Sequence, residues 1–239
     1  MENAIYIALS KQTALTDSMQ IIANNVANAN TTGYRAQNIL FEEFISDPRF
    51  SDDDLSFVND FGQYQNSTQG GLTQTDNDLN VALSGPGFLS IQLQDGRTAY
   101  TRDGNFQLAG DGTLLNQSGL PVLGSGGPII IPDSSTEINI DQNGNISDQD
   151  GTIAQLQIFE FANIEELEPF GENAYITDGA TTPAENTIVS QGFLEESNVN
   201  AIAETTRMIT VLREFQATHG FIEQENERLL GAIRTLTET

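Results

Sequence analysis

A chain of 239 residues carrying 34 acidic and nine basic side chains has a formal net charge of −25. Charge of that sign repels nucleic-acid phosphates and anionic lipid, so neither is an expected partner. There is no cysteine, which excludes a disulfide framework, a thiol nucleophile and Cys-ligated zinc. No stretch approaches about 20 apolar residues in a row, so no membrane insertion is expected. The first residues lack a basic segment followed by an apolar core, so a cleavable signal peptide is not expected either.

Residues 1–30 predict an amphipathic helix. Ile5, Ala8, Gln12, Leu15, Met19, Ile22 and Val26 recur at alternating steps of three and four, the period of a coiled-coil seam. Thr31-Thr32-Gly33 is expected to stop it, because Gly adopts the left-handed conformation without a Cβ clash. Asn24, Asn25, Asn28 and Asn30 are poor helix formers that compete for backbone hydrogen bonds. Their amides are therefore read as groups that bond to neighbouring helices.

Residues 31–72 hold turn chemistry (Asp47-Pro48, Asp52-Asp53-Asp54, Gly62, Gly70-Gly71) mixed with Phe41, Phe44, Phe50, Phe57, Phe61 and Tyr64. Disordered segments seldom carry so many aromatics. The reading is an extended arm or β-hairpin whose aromatics pack on neighbours.

Residues 73–195 change to short strands broken by turns, the mark of an all-β domain. Leu89, Ile91 and Leu93 alternate with Phe88, Ser90, Gln92 and Gln94, and Asp95-Gly96 supplies a hairpin turn. An internal echo is also present. Phe106, Leu108, Gly112, Leu114 and Gly119 are repeated in spacing by Ile138, Ile140, Gly144, Ile146 and Gly151, 32 residues later. Two similar hairpins are expected. Pro128-Ile129-Ile130-Ile131-Pro132 reads as a short buried or edge strand. Residues 46–195 carry 23 acids against Arg49, Arg97 and Arg102.

Residues 196–239 return to helical period. Ser197 or Asn200 can cap the start. Met208, Val211, Phe215, Ile222, Leu229, Ala232 and Leu236 share one track, and Ile209, Leu212, Leu230 and Ile233 widen the stripe. One pairing of two helices hides only part of so wide a stripe, and an exposed apolar remainder signals assembly. The expected fold class is α+β, with N- and C-terminal helices forming a coiled-coil-like assembly domain and a central all-β domain.

Residues that could carry chemistry are few. His219 is the one histidine, so neither a Ser-His-Asp triad nor a two-His metal site can be built within one chain. Gly124-Ser125-Gly126-Gly127 lacks the Lys-Ser/Thr of a phosphate loop. Asp141-x-Asn143-Gly144-Asn145 and Asp148-x-Asp150-Gly151 lack the full ligand run of a calcium loop, and hairpin turns are the better reading. The glycosylation triplets at Asn30, Asn66, Asn116 and Asn145 are expected by chance in an Asn-rich chain. The expectation is a chain with no catalytic residue, metal or cofactor.

Three motifs in order add a family. Ala23-Asn24-Asn25-Val26-Ala27-Asn28, with Asn30-Thr31 and Gly33-Tyr34, comes first. Thr75-Asp76-Asn77-Asp78-Leu79-Asn80-Val81-Ala82, Gly85-Pro86-Gly87-Phe88 and Tyr100-Thr101-Arg102-Asp103-Gly104-Asn105-Phe106 follow. Ser197-Asn198-Val199-Asn200 and Leu212-Arg213-Glu214-Phe215-Gln216-Ala217 close the series. Together they span nearly the whole chain and resemble the flagellar basal-body rod protein family, which also contains the hook and hook-associated axial proteins. The Met1-x-Asn3-Ala4-Ile5-Tyr6 start is most like a proximal-rod member.

The resemblance implies a structural rod subunit exported by the flagellar type III apparatus and polymerised in the periplasm with other rod proteins. Terminal helices of neighbouring subunits would form an inner tube that transmits torque. The assembly interface it implies is Ile5, Ala8, Leu15, Met19, Ile22, Asn24, Asn25, Val26, Asn28, Asn30, Thr31, Gly33, Tyr34, Met208, Val211, Leu212, Phe215, Ile222, Leu229, Ile233 and Leu236. Given the resemblance, both stripes are read as packing between subunits, against the alternative of an ordinary two-helix packing within one chain. The other readings are a distal-rod or hook protein, distinguished by the arm at 46–72, and an acidic secreted β-domain binding protein.

Overall fold

The structure is a computed structural model that describes residues 2–46, 55–132, 135, 137–171 and 173–237. The predicted turns at Asp47-Pro48 and Asp52-Asp53-Asp54, together with Phe50, lie outside the described residues, as do the side chains of Phe44, Phe57, Phe61 and Leu236. The chain is α+β and divides into two compact units: residues 1–27, 37–64 and 200–239 form the first, residues 28–36 and 65–199 the second.

In the first unit, α1 (Glu2–Ala27) and α2 (Ala201–Thr237) run antiparallel. Gln12 Nε2 lies 3.5 Å from His219 Nδ1, and Asn25 Nδ2 donates to Glu204 Oε2 at 3.3 Å. The structure thus pairs the helices within one chain, the alternative weighed above. On α2 Glu204, Met208, Val211, Phe215, Thr218, Ile222, Glu225 and Leu229 are buried or half-buried and form an unbroken three-four track, with Gly220 half-buried beside it. Thr218 and Glu225 occupy the steps that the apolar pattern leaves out.

On α1 the covered face is rotated from the predicted seam. Ala8, Ala14, Leu15, Ser18, Ile21, Ile22 and Asn25 are buried, whereas Ile5, Gln12 and Met19 are half-buried and Val26 is exposed. The buried face thus takes in Ala14 and Ser18, which lie off the predicted seam. Regular helix ends at Ala27, and a turn takes Asn28–Asn30, where Thr31 N–H donates to Asn28 O at 3.1 Å. The strands β1 (Gln37–Ser46) and β2 (Leu55–Gln65) pair as a two-stranded ribbon. A ribbon without a third strand is marginal in water and needs its root held.

The second unit is built from short strands: β3 (Leu72–Gln74), β4 (Val81–Ser84), β5 (Phe88–Gln92), β6 (Thr98–Thr101), β7 (Gln107–Leu108), β8 (Leu114–Leu115), β9 (Leu123–Gly124), β10 (Gly127–Pro128), β11 (Asn139–Ile140), β12 (Asn145–Asp148), β13 (Gly151–Gln155), β14 (Ile158–Glu160), β15 (Glu168–Gly171), β16 (Ala174–Ile176), β17 (Thr182–Pro183), β18 (Ile188–Gln191) and β19 (Phe193–Glu195). Its largest sheet has the order β15-β16-β6-β5-β14-β17. The β5–β6 hairpin turns at Asp95-Gly96, where Gly96 has φ +86°.

Alternation in β5 predicts one covered face, but Phe88, Leu89, Ser90 and Ile91 are all fully buried. Leu89 and Ile91 join the main core with Val81, Leu83, Phe106, Val122 and Ile129, while Phe88 faces an aromatic cluster with Tyr100 and Tyr175. Ser90 tolerates this because its hydroxyl donates to Gln157 O at 3.0 Å.

The internal echo is visible as two hairpins. Leu108 pairs with Leu114, and Ile140 pairs with Ile146. The turn glycines Gly112 and Gly144 have φ of +81° and +78°. Ser125 and Gly126 form the turn between β9 and β10. Ile129 and Ile131 point into the core with Ile130 exposed between them, so the proline-bracketed strand has one covered face.

Candidate functional site

The three sequence motifs meet. Pairing of β3 with β19 and β4 with β18 brings residues 72–84 beside residues 188–195. Gly33 N–H donates to Glu195 O at 2.7 Å, and Asn198 N–H donates to Tyr34 O at 3.3 Å, so the segment leaving α1 is laid against the segment that leads to α2. Gly33 has φ +66°, and a Cβ there would stand 2.5 Å from the carbonyl carbon of Arg102 and 2.7 Å from Asp103 N. Only glycine meets both demands.

At the centre lies a buried charge cluster. Arg35, Arg102 and Glu195 are each about as buried as the core, at 2%, 1% and 2% exposure. Arg35 Nη2 is 3.5 Å from Glu195 Oε1, and Arg102 Nη1 is 3.3 Å from Oε2. Two further donors reach backbone, Arg102 Nη2 to Gly85 O at 2.5 Å and Arg35 Nη1 to Ser67 O, whereas Nε of each arginine is buried without a hydrogen-bond partner. Both guanidinium carbons lie over the Phe88 ring, at 4.8 Å for Arg102 and 5.8 Å for Arg35. Glu195 Oε1 also accepts from Gly70 N at 3.2 Å.

One carboxylate thus serves two guanidinium groups, leaving one positive charge in excess. Burial lowers the pKa of Arg102 to about 10, helped by the neighbouring Arg35 charge and opposed by Glu195. Burial lowers that of Arg35 as well, again against Glu195. Both remain cationic at neutral pH.

Asparagine amides clip the chain on either side of the ribbon root. In the first unit, Asn25 Oδ1 accepts from Gln37 N and Asn25 Nδ2 donates to Gln37 O, both at 2.9 Å. In the second, Asn198 Oδ1 accepts from Ala36 N at 2.7 Å, while its Nδ2 donates to Asn66 O at 3.1 Å and Thr68 O at 2.8 Å. Each amide replaces a strand neighbour that the ribbon root lacks.

Comparisons with known proteins agree on where these motifs belong. A model described as "Flagella basal body rod protein" matches residues 5–35, the "Flagellar hook protein FlgE/F/G D1 domain" matches 82–148, and "Flagellar basal body rod FlgEFG protein C-terminal" matches 190–234. The chain is 32% identical to the flagellar basal-body rod protein FlgF of Caulobacter vibrioides, over 99% of this chain and 98% of the relative. It is 33% identical to FlgF of Mesorhizobium japonicum at the same coverage. To FlgG of Buchnera aphidicola subsp. Acyrthosiphon pisum it is 33% identical over 95% of this chain and 96% of the relative. The chain belongs to the flagellar basal-body rod protein family. It is a structural rod subunit of the basal body, in a family that is not one of enzymes. No described helix is long and apolar enough to cross a membrane.

The convergence gives the rod protein's motifs a physical meaning. Arg35 directly follows the N-terminal motif, Arg102 stands in the middle one, and Glu195 lies two residues before the C-terminal one. Sequence reasoning named neither Arg35 nor Glu195 as a site residue. The available signal was charge: Arg35 and Arg102 are two of only nine bases in a chain of −25.

Of the predicted interface, Ala8, Leu15, Ile22, Asn25, Gly33 and Tyr34 are buried within the chain. Ile5, Met19, Asn28, Thr31, Met208, Val211, Phe215, Ile222 and Leu229 are half-buried, and Asn24, Val26, Asn30, Leu212 and Ile233 are exposed. Asn28 Oδ1 accepts from Thr31 Oγ1 at 3.1 Å. His219 stacks on Phe215 with ring centroids 6.3 Å apart. Asn200 caps α2, its Oδ1 accepting from Ile202 N and Ala203 N at 3.1 Å each, whereas the Ser197 hydroxyl accepts from Val199 N. Asp141 Oδ1 accepts from Asn143 N and Asn145 N, which makes that loop a hairpin turn.

Proposed function

We propose that the α1/α2 pair is the surface through which this rod subunit polymerises, with copies of itself and with other axial proteins, as part of a torque-transmitting proximal rod. The observation that carries the reading is the apolar area the pair leaves uncovered. Tyr6 is 60% exposed, Leu9 52%, Ile209 47%, Leu212 42%, Phe221 43% and Leu230 49%. Intramolecular pairing consumes the three-four track, and these residues lie outside it. Large apolar side chains left exposed on both helices of a pair are what an assembly interface would cover. Export through the type III apparatus and residence in the periplasm fit a cysteine-free chain whose marginal ribbon and helix pair gain order on assembly. A central all-β domain at 73–195 flanked by assembly helices remains the organisation this reading uses.

Leu212→Asp is the informative variant, because Leu212 is exposed in the single chain whereas Ile22 is buried. The monomer should melt as wild type, within about 0.5 kcal/mol, as surface changes do. Export should continue and swimming should be lost. A Leu212→Asp strain that swims normally, with rods of normal length in isolated basal bodies, rejects the surface.

The FlgG relatives, matched over 96% of their length, favour a distal position as the second reading. Exchange of the arm at 46–72 for that of a distal-rod protein separates the two. A proximal subunit so altered should stop incorporating at its own place in the rod.

A further inference from the structure

The second unit is so acidic that one exposed cation stands out. Residues 65–199 hold nineteen acids and two bases, Arg97 and Arg102. Arg102 is buried in the charge cluster at 1% exposure, whereas the Arg97 side chain is 54% exposed. Arg97 Nε donates to Asp95 Oδ2 at 2.7 Å, and its backbone N–H donates to Asp95 Oδ1 at 3.0 Å. That geometry fixes the stem and leaves the two terminal nitrogens of the planar fork for a second acceptor.

Beside this cation is a hollow with an apolar floor and with Gln94 and Asp95 in its lining. Arg97 Cζ lies 5.0 Å from the ring centroid of Phe170, which is 46% exposed on the edge strand β15. Phe170 borders a cavity of about 330 Å³ whose floor is Leu93, Leu120 and Ala174, all members of the core or buried against it. The depression therefore reaches the core while its rim carries the one exposed guanidinium among the described residues of this unit.

We infer that the Arg97–Phe170 hollow is a contact site for the β-rich unit of a second copy of this chain, taking a carboxylate on the guanidinium and an adjoining apolar side chain in the hollow. The inference rests on the rod reading, which places copies side by side. Charge selects the place. Two units that each carry this excess of acid repel wherever carboxylate meets carboxylate, a juxtaposition that costs several kcal/mol in an interface. Contact is favourable where one copy presents its cation. The same unit also presents exposed apolar groups three residues from an exposed acid in sequence, Leu108 with Asp111 and Ile188 with Glu185. The interface is therefore heterologous, cation site on one copy and acid-apolar edge on the next, and such contacts propagate into open helical filaments.

The test places a photo-cross-linking residue at Gln94, on the rim of the hollow, in the full chain expressed in a motile strain. Assembled basal bodies should yield a cross-linked product of two copies, with the linked peptide in the β-rich unit. Arg97→Glu should lower that product about tenfold, the change expected when a charge pair becomes a repulsion. Arg97→Lys should retain most of it, and melting of the purified chain should be unchanged in both. Rods that contain the chain but give no copy-to-copy product, give cross-links only to a different protein, or give a product indifferent to Arg97→Glu overturn the contact alone. Absence of the chain from isolated basal bodies overturns the rod reading together with it.

Discussion

The side chain of Asn25 and the peptide of Gln37 face each other as two strands of a ladder would, exchanging two hydrogen bonds of 2.9 Å. Asn25 has no exposed surface, and its amide also donates to Glu204 Oε2 on α2. One residue thus ties the end of α1, the start of the ribbon and the first turn of α2. An amide is required rather than a carboxylate, because one bond is accepted and two are donated.

Asn25→Asp keeps the bond from Gln37 N but cannot donate to Gln37 O, and it sets a second carboxylate beside Glu204. Loss of roughly 2–4 kcal/mol from the first unit is expected, more than for Asn25→Ala, since buried like charges add to the unpaired carbonyl. Hydrogen exchange should show early opening of Gln37–Ile39 in both variants. Full protection of Gln37 in Asn25→Asp refutes the clip.

Glu195→Gln removes the only carboxylate that the cluster places between two buried guanidinium groups. Breaking a buried pair from one side costs about 3–5 kcal/mol, because the remaining charge is uncompensated. Urea denaturation should therefore show a much weakened second unit. Adding Arg35→Met to Glu195→Gln should recover a large part of the loss, and a purely additive double variant contradicts the charge balance described here.

Gly33 and Gly119 allow backbone conformation to be separated from packing. Their φ angles are +66° and +79°, but nothing lies within 4 Å of a Cβ at Gly119, whereas at Gly33 the Arg102 and Asp103 backbone blocks it. Gly119→Ala should cost roughly 1–2 kcal/mol, the left-handed penalty alone. Gly33→Ala should cost clearly more, because the segment that carries Arg35 must move. Equal melting temperatures for the two variants count against a packed junction.

What could be read from the sequence was what local pattern governs. The repeat of Leu108, Gly112 and Leu114 in Ile140, Gly144 and Ile146 names both partners of each hairpin, because turn and strand lie within a few residues. The helical stripes of α1 and α2 were legible for the same reason. The face of α1 that is buried was not, since Ala14, Ser18 and Asn25 lie off the three-four seam and small or polar residues give no strong periodic signal. The Asn-rich run was read as bonding to neighbouring helices, yet Asn25 exchanges two bonds with a backbone peptide 12 positions away. Arg35 and Glu195 meet across 160 positions of chain, joined by the backbone hydrogen bonds of Gly33 to Glu195 and of Asn198 to Tyr34. Long-range charge pairing has no periodicity, so composition marks Arg35 as unusual without joining it to Glu195.

Asp103 gives the second unit an inverted response to pH. It is 7% exposed and accepts from Asn105 N at 3.0 Å, and burial raises its pKa from 3.8 to about 6 despite that bond. The folded state therefore holds the proton more tightly than the unfolded chain does. Its stabilising contribution is complete below pH 3.8 and is lost as pH rises through about 6. Above that, the ionised group costs up to about 3 kcal/mol. The exposed carboxylates of Asp95, Asp111, Asp141 and Asp148 act in the opposite sense, their pKa values being lowered by hydrogen bonds. Wild type must accordingly be compared with Asp103→Asn at each pH, so that those shared contributions cancel. The amide oxygen can still accept from Asn105 N without carrying charge. Asp103→Asn should be more stable than wild type at pH 7 by about 1–3 kcal/mol, with the difference shrinking to near zero or reversing at pH 4. Urea midpoints across that range measure it. A variant that is destabilised equally at both pH values shows that Asp103 is ionised and satisfied in the folded rod protein, with no raised pKa.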